Sequence, residues 1–363
     1  MRGLKKNKKV VVAMSGGIDS SVAAVLLKKT GFNIIGVFMK FWMAPEKNGL
    51  IGTWNRCCSP EAENRARKVA QILNIPFYVF NFEKEFKRGV VNYFLNGYKN
   101  GITPNPCVVC NKEIKFGLLL KKALILGTDF VATGHYARLQ KKADRIHLLR
   151  GKDKKKDQSY FLWQLNQKQL KHILFPLGNY NKTQVRNLAK KFNLPVLDTP
   201  ESMEVCFIKT TINDFLAQCI KPKPGPILTI EGKKIGQHQG LPFYTIGQRK
   251  EIKLSGGPFY VVDKNLKENT LIVTHFLNTK SLYKKNLIAQ NVNWISGKEP
   301  KLPLKIKAQI RYGHRAISST ITKRLKTENF ELVFNKPQRA ITPGQSVVFY
   351  QNQELLAGGI IAQ

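Results

Sequence analysis

Three stretches of this chain carry residue types that could do chemistry. The first is Ser15-Gly16-Gly17-Ile18-Asp19-Ser20, set between a β-rich run and a helical one. Two glycines let the backbone turn tightly and come close to a ligand. Exposed N–H groups there, with the positive end of a helix beginning near Ser20, form a cradle for an anion. Ser15, Ser20 and Ser21 add hydroxyl donors, and Asp19 could hold a cation that bridges phosphates. No lysine follows the glycines, so this is not the GxxxxGK[ST] nucleotide motif. A glycine turn with a Ser/Asp helix cap would use the same residues.

The second stretch is Asn105-Pro106-Cys107-Val108-Val109-Cys110, followed by Asn111-Lys112-Glu113-Ile114-Lys115-Phe116. A CxxC pair has three readings. It can be half of a zinc site, which needs two further ligands that Cys57-Cys58 could supply. It can be a redox pair of thioredoxin type. It can hold one nucleophilic thiol at a helix N-terminus, where the dipole lowers the thiol pKa. The third stretch is Glu204-Val205-Cys206-Phe207-Ile208. Its apolar neighbours suit a buried, inert thiol. Its position after the polar run Asp198-Thr199-Pro200-Glu201-Ser202 suits a loop at the edge of a catalytic domain.

These segments need a scaffold, and the hydrophobic pattern supplies one. Lys9–Ala13, Asn33–Phe41, Pro76–Phe80 and Thr128–Thr133 read as strands. Ser20–Lys29, Pro60–Leu73, Glu83–Lys99, Gln158–Leu174 and Lys182–Phe192 read as helices. Strands alternating with helices predict βαβ units, a parallel sheet and a ligand at the carboxyl ends of the strands. After the breaker cluster Pro222, Pro224, Gly225 and Pro226, short β runs are separated by turns. Phe259–Val262, Leu271–Thr274, Lys305–Ile310, Ser319–Thr322, Phe330–Phe334 and Ser346–Tyr350 predict small β modules.

The 363 residues suit two or three domains, and a 43% hydrophobic content supports packed cores. Sixty Lys+Arg against 23 Asp+Glu give a net charge of +37, which favours a polyanionic partner such as nucleic acid. No apolar run approaches the ~20 residues that a bilayer span requires. Met1–Lys9 is basic but too short for a signal peptide. A cytoplasmic protein with reduced thiols and no membrane contact is expected.

With these segments in place, the chain resembles the bacterial tRNA-specific 2-thiouridylase family, within the N-type ATP pyrophosphatases. The resemblance runs the length of the chain. It rests on SGGIDSS, FMKFW, NPCVVCNKEIKFG, ATGHYAR, KDQSYFL, FPLG, CFI, GQHQG, TIGQRK, YVVDK, IRY and TPGQSVVFY, in the family's order. It implies a pyrophosphatase-loop α/β domain over 1–208, a small central β domain over 209–284 and a tRNA-contacting β-barrel over 285–363. The ATP site would be Ala13, Met14, Ser15, Gly16, Gly17, Ile18, Asp19 and Ser20, with Met39 and Gly134. Asn105, Pro106 and Cys107 would border the target base. Cys110 would be the nucleophile and Cys206 the persulfide carrier, joined in a transient Cys110–Cys206 disulfide. His135, Lys156, Asp157, Gln158, Arg311, Tyr312 and Gln345 would contact tRNA.

The implied reaction adenylates the C2 oxygen of a wobble uridine in tRNA for Lys, Glu or Gln, then replaces that oxygen with sulfur. It uses ATP with Mg2+, no metal held by the protein scaffold, and a persulfide donor such as a cysteine desulfurase or relay protein. An iron–sulfur cluster on Cys107, Cys110 and Cys206 is the alternative, since some sulfur-inserting relatives of this fold use one. Two rival readings are another pyrophosphatase-loop synthetase and a non-catalytic RNA-binding protein. The chain departs from the family at two places. Cys107 stands where some members carry Asp, and Glu251 stands where a glycine is usual, so a different loop conformation is expected there.

Overall fold

The computed structural model describes residues 7–43, 59–199, 205–208, 211–252, 254–276, 279–325 and 328–362. Cys57, Cys58, Glu201, Ser202 and Glu204 lie outside them. The first module is a parallel sheet flanked by helices. Its strands are β1 (Lys9–Ala13), β2 (Asn33–Lys40), β3 (Phe77–Asn81), β4 (Phe130–Ala132) and, beyond two further strands described below, β7 (Ile173–Leu174). The order is β3-β2-β1-β4-β7, parallel throughout. β1 reads Lys-Val-Val-Val-Ala, with every residue after Lys9 buried, as a central parallel strand requires. The sheet order reverses between β1 and β4. That switch point opens a crevice beyond the strands' carboxyl ends.

Helices α1 (Ile18–Lys29) and α2 (Pro60–Ile72) cover the sheet. α2 starts where the sequence predicts: the Ser59 hydroxyl accepts from the Ala62 N–H at 3.1 Å, with Pro60 at the first helical position. Two longer helices follow, α3 (residues 83–99) and α4 (residues 106–125). Each contains a π-helical stretch, Lys87–Val91 in α3 and Cys110–Leu119 in α4. The π stretch of α4 begins at a candidate catalytic cysteine, a common place for such irregularity. α5 (Lys182–Lys191) and α6 (Ile212–Cys219) each open with a capping box, from Asn181 and Thr211.

The central module is a four-stranded sheet of β8 (Gly225–Thr229), β9 (Lys234–His238), β10 (Tyr260–Asn265) and β11 (Thr270–Thr274). Its Ile227, Val261, Leu271 and Val273 share one core with Phe86, Phe94 and Ile114 of the first module. The C-terminal module is a closed antiparallel barrel. It comprises β12 (Tyr283–Trp294), β13 (Leu304–Gln309), β14 (Ile317–Arg324), β15 (Phe330–Arg339), β16 (Ser346–Gln351) and β17 (Glu354–Ile361), closed by β12 on β17.

The barrel sheet also takes in a hairpin from the first module, β5 (Ala137–Lys142) and β6 (Arg145–Arg150). β6 lies against β17, with the Arg150 N–H donating to the Gln353 carbonyl at 2.8 Å and His147 Nδ1 2.6 Å from Glu354 Oε1. The hydrophobic pattern of 137–150 did not reveal this hairpin, because more than half of its positions are polar.

The helix expected over Gln158–Leu174 does not form. A 3-10 turn at Ser159–Leu162, a short helix at Gln167–Leu170 and β7 occupy that stretch. Its aromatic residues serve an interface instead of a helix face. The Tyr160 hydroxyl donates to the Ser346 carbonyl at 2.8 Å, and Trp163 Nε1 donates to Ser346 Oγ at 3.0 Å. Tyr160 and Trp163 are both fully buried against the barrel. Burying a side chain of that size is worth roughly 1.5–3 kcal/mol, more than the helix propensity it overrides. Glu251 adopts φ +65°, in the left-handed region that favours glycine, and its carboxylate accepts from Asn213 Nδ2. The backbone there is one that a glycine would also take.

Candidate active site

One cleft of about 910 Å³ opens at the carboxyl ends of β1, β2 and β4 and runs toward the barrel. It gathers residues from all the stretches that the sequence singled out. Ala13, Met14, Ser15, Gly17, Ile18, Asp19, Ser20, Met39 and Gly134 line one end. Asn105, Pro106, Cys107, Cys110 and Cys206 line the other, with His135, Lys156, Gln158, Arg311, Tyr312 and Gln345. Gly16 and Asp157 are the two predicted site residues outside this lining.

Gly16 instead shapes the loop. It sits at φ +71°, and a Cβ there would fall 2.1 Å from the Ala62 carbonyl oxygen. Arg65 Nε donates to the Gly16 carbonyl at 3.0 Å and fixes the turn. Gly17 is different: its φ is −99°, and a Cβ would meet only Ser15 Oγ, at 3.6 Å. The fold itself would accept a side chain at 17, so the open space above it is available to a ligand. Gly17 begins α1 without any side-chain cap. Ser20 Oγ accepts from the Ser15 N–H at 3.1 Å and donates to the Gly17 carbonyl, which closes the loop into a ring. The result is an uncapped helix N-terminus facing the cleft, an arrangement suited to phosphate. Gly134 lies close behind it, since a Cβ there would reach the Ser20 nitrogen at 2.9 Å.

Asp19 Oδ1 accepts from the Tyr136 hydroxyl at 2.7 Å, and both of its oxygens lie 2.8 Å from Lys182 Nζ. Sequence reasoning missed Lys182, Tyr136 and Arg65 as parts of this end. Lys182 belongs to no local motif, and nothing in the sequence pairs it with a residue on α1.

At the other end, Asn105 precedes α4 and Pro106 occupies its first position. Cys107 falls in the first turn and Cys110 in the second. Cys110 is 6% exposed and packs in the shared core, with Cys206 packed against that core from outside α4. The barrel holds this end in place. Gln345 Nε2 donates to the Thr103 carbonyl at 3.0 Å, and the Thr103 N–H donates to the Pro343 carbonyl at 2.9 Å. Tyr312, 39% exposed, packs its ring 4.5 Å from Phe161. The guanidinium of Arg311 donates to Thr342 Oγ1 at 2.9 Å.

His135 Nδ1 lies 2.7 Å from Thr133 Oγ1. Burial, with Lys115 nearby, holds the imidazole pKa well below its usual value, so the ring is neutral at pH 7. Asp157 is internal, its side chain 7% exposed. It accepts from the Gly151 and Ser159 N–H groups and pairs with Arg150 at 3.0 Å. It orders the turn that presents Lys156 and Gln158.

Six basic side chains line the cleft against two carboxylates, Asp19 and Glu61. That balance suits an anionic ligand such as a polyphosphate or a nucleic acid. Among the described residues, no three His, Cys, Asp or Glu side chains are grouped to hold a metal ion, and none of the helices is long and apolar enough to cross a membrane.

Three domain families match this chain in tandem. They are the tRNA methyl transferase HUP domain over residues 8–210, the tRNA methyl transferase PRC-barrel domain over 213–275 and the aminomethyltransferase beta-barrel domain over 284–361. The tRNA-specific 2-thiouridylase MnmA of Carboxydothermus hydrogenoformans is 47% identical over 364 residues, spanning 98% of this chain and 97% of the relative. The chain belongs to the tRNA-specific 2-thiouridylase family. The Bacillus cereus protein of the same name is 44% identical over 99% of this chain and 96% of its own length. The U34-tRNA thiolase NcsA from Methanococcus maripaludis matches 56% of this chain and 62% of its own at 21% identity and a TM-score of 0.36, too slight a likeness to bear on function. The family is one of tRNA sulfurtransferases, and this chain is an enzyme of that kind with tRNA as substrate.

Proposed function

We propose that the enzyme adenylates the C2 oxygen of a wobble uridine in tRNA for Lys, Glu or Gln, then replaces that oxygen with sulfur carried on Cys206. The observation that carries this reading is that an uncapped glycine loop and the thiols Cys110 and Cys206 line one cleft. Residues 1–208 would form the catalytic domain, 209–284 the central domain and 285–363 the tRNA-contacting barrel. The adenine would lie against the backbone at Met39 and Gly134, and the phosphates over Gly17 and the start of α1.

Mg2+ would be held here chiefly by the phosphate oxygens, with Asp19, whose carboxylate already pairs with Lys182, as the neighbouring carboxylate. When bound, it would neutralise phosphate charge. The neutral His135 and the Asn105–Cys107 turn would border the extruded base, whose exit from an anticodon loop costs little. Lys156, Gln158, Arg311, Tyr312 and Gln345 would hold the surrounding tRNA in a reaction sited in the cytoplasm.

The uracil C2 oxygen attacks the α-phosphorus of ATP, and the bond to the bridging oxygen breaks with release of pyrophosphate. The terminal sulfur of a Cys206 persulfide attacks C2 and expels AMP. The Cys110 thiolate then attacks Cys206 Sγ, and the S–S bond breaks with its electron pair left on the transferred sulfur. The remaining Cys110–Cys206 disulfide needs a dithiol reductant, and a persulfide-bearing protein reloads Cys206. Splitting the substitution this way replaces one hard step by easier ones.

The test uses purified protein, unmodified tRNA, ATP and a persulfide donor. Digested tRNA should contain 2-thiouridine, with one AMP and one pyrophosphate per sulfur inserted. Thiolation without pyrophosphate release would sink the adenylation route.

A further inference from the structure

The glycine loop lacks the lysine that P-loops aim at the terminal phosphates. A lysine nevertheless stands at this loop, delivered by a different element. Lys182 is the first residue of α5, and its ammonium lies 2.8 Å from both carboxylate oxygens of Asp19. The Lys182 side chain is 15% exposed and that of Asp19 is 36% exposed, so the pair sits at the wall of the cleft.

Its position is determined from several sides. Asn181 caps α5 just before it, and the Lys182 N–H donates to Asp153 Oδ2 at 3.0 Å. The Tyr136 ring flanks the ammonium at 5.9 Å, and the Tyr136 hydroxyl holds the same Asp19 carboxylate. Arg186, one turn further along α5, lines the same cleft.

Electrostatics make this placement informative. An ammonium beside the positive end of α1 and near a second cation raises the local potential. Asp19 offsets part of that cost and fixes the direction of the side chain. What remains is a positive site at the loop, where a polyphosphate chain would end. We propose that Lys182 is a ligand of the β- and γ-phosphates of ATP and of the pyrophosphate that leaves, with Asp19 and Tyr136 as its positioning residues. The proposal rests on the reading of the loop as an ATP site. When the bond between the α-phosphorus and the bridging oxygen breaks, the electron pair goes to pyrophosphate, and a cation held in advance stabilises that charge. The function of the missing P-loop lysine is thereby supplied from α5.

The experiment compares ATP, AMP and pyrophosphate binding by the full-length protein and by Lys182→Ala, Lys182→Gln and Lys182→Arg. The loss of one charge-assisted contact should weaken ATP and pyrophosphate by roughly ten- to a hundredfold in the Ala and Gln variants. AMP, which lacks the terminal phosphates, should bind within about twofold of the parent, and Lys182→Arg should recover most of the ATP affinity. An equal loss for AMP and ATP would assign Lys182 a structural role and overturn the proposal. Unchanged ATP binding in both the Ala and Gln variants would also overturn it. If the parent protein does not bind ATP, the nucleotide reading itself fails, an outcome distinct from a parent that binds and variants that do not respond.

Discussion

The two ends of the cleft are built by different means. The glycine-loop end is assembled from adjacent strand ends of one sheet, and most of its residues are consecutive in the chain. The thiol end is assembled from separate parts of the chain: the start of α4, His135 after β4, the turn carrying Lys156 and Gln158, the 205–208 segment and the barrel residues Arg311, Tyr312 and Gln345. A loop built on one sheet keeps its shape through its own backbone, as the Gly16 and Ser20 contacts do. A site drawn from separate modules keeps its shape only while the modules stay docked, through contacts such as Gln345 to Thr103. The first construction gives a self-supporting loop, on which the proposed phosphate site rests. The second makes the chemistry depend on the same barrel that would receive tRNA.

The largest expected effects lie at the thiols. Cys206→Ser and Cys110→Ser should each abolish 2-thiouridine formation, and each should still release pyrophosphate from ATP in the presence of tRNA. Cys206→Ser should accept no persulfide, whereas Cys110→Ser should accept one and fail to pass it on. Peptide mapping of the parent after turnover without reductant should find a Cys110–Cys206 link. A Cys107–Cys110 link would reassign the roles.

A smaller effect separates two neighbouring glycines. Gly16→Ala should destabilise the protein by about 1–3 kcal/mol, because a side chain meets the Ala62 carbonyl at a left-handed position. Gly17→Ala should leave the denaturation midpoint within error and weaken ATP severalfold, since its added methyl faces the cleft. If both behaved alike, the cradle would be no more than a tight turn.

The mildest expectation concerns Arg311→Ala. Affinity for tRNA should fall by a few-fold and the slope of log K against log salt should lessen by about one, with ATP affinity unchanged. An unaltered slope would remove Arg311 from the phosphate contacts and leave its bond to Thr342 as its role.

The same contrast explains what could be read from sequence. The loop and its flanking elements were legible because strand, glycines and helix are contiguous and each has its own local signature. The parallel sheet followed from the alternation of apolar runs. The β-rich character of the C-terminal part was legible too, although β12 and β17, which close the barrel, were not recognised.

Gln158–Leu174 misled because Tyr160, Leu162, Trp163 and Leu165 are apolar for the sake of the barrel, a partner that no local pattern reveals. The pairing of Lys182 with Asp19 was invisible for the same reason, since it exists only once α5 packs beside α1. Gln345 and Arg311 entered through family resemblance alone. The inward contacts of Asp157 with Gly151, Ser159 and Arg150 were likewise not legible, since they form only when the turn closes.

The hairpin of β5 and β6 stitches the first module into the sheet of the last, so chain connectivity and physical connectivity do not coincide. A cut between β11 and β12 would sever the polypeptide without releasing the barrel. The two fragments should co-elute in native buffer and part only in denaturant. The barrel is accordingly not a cassette that could be exchanged between proteins by joining genes at residue 284. A transplanted barrel would stay closed through β12 on β17, but it would lose its contacts with β6 at the start of β17, the bond from Arg150 to Gln353 and the contact of His147 with Glu354.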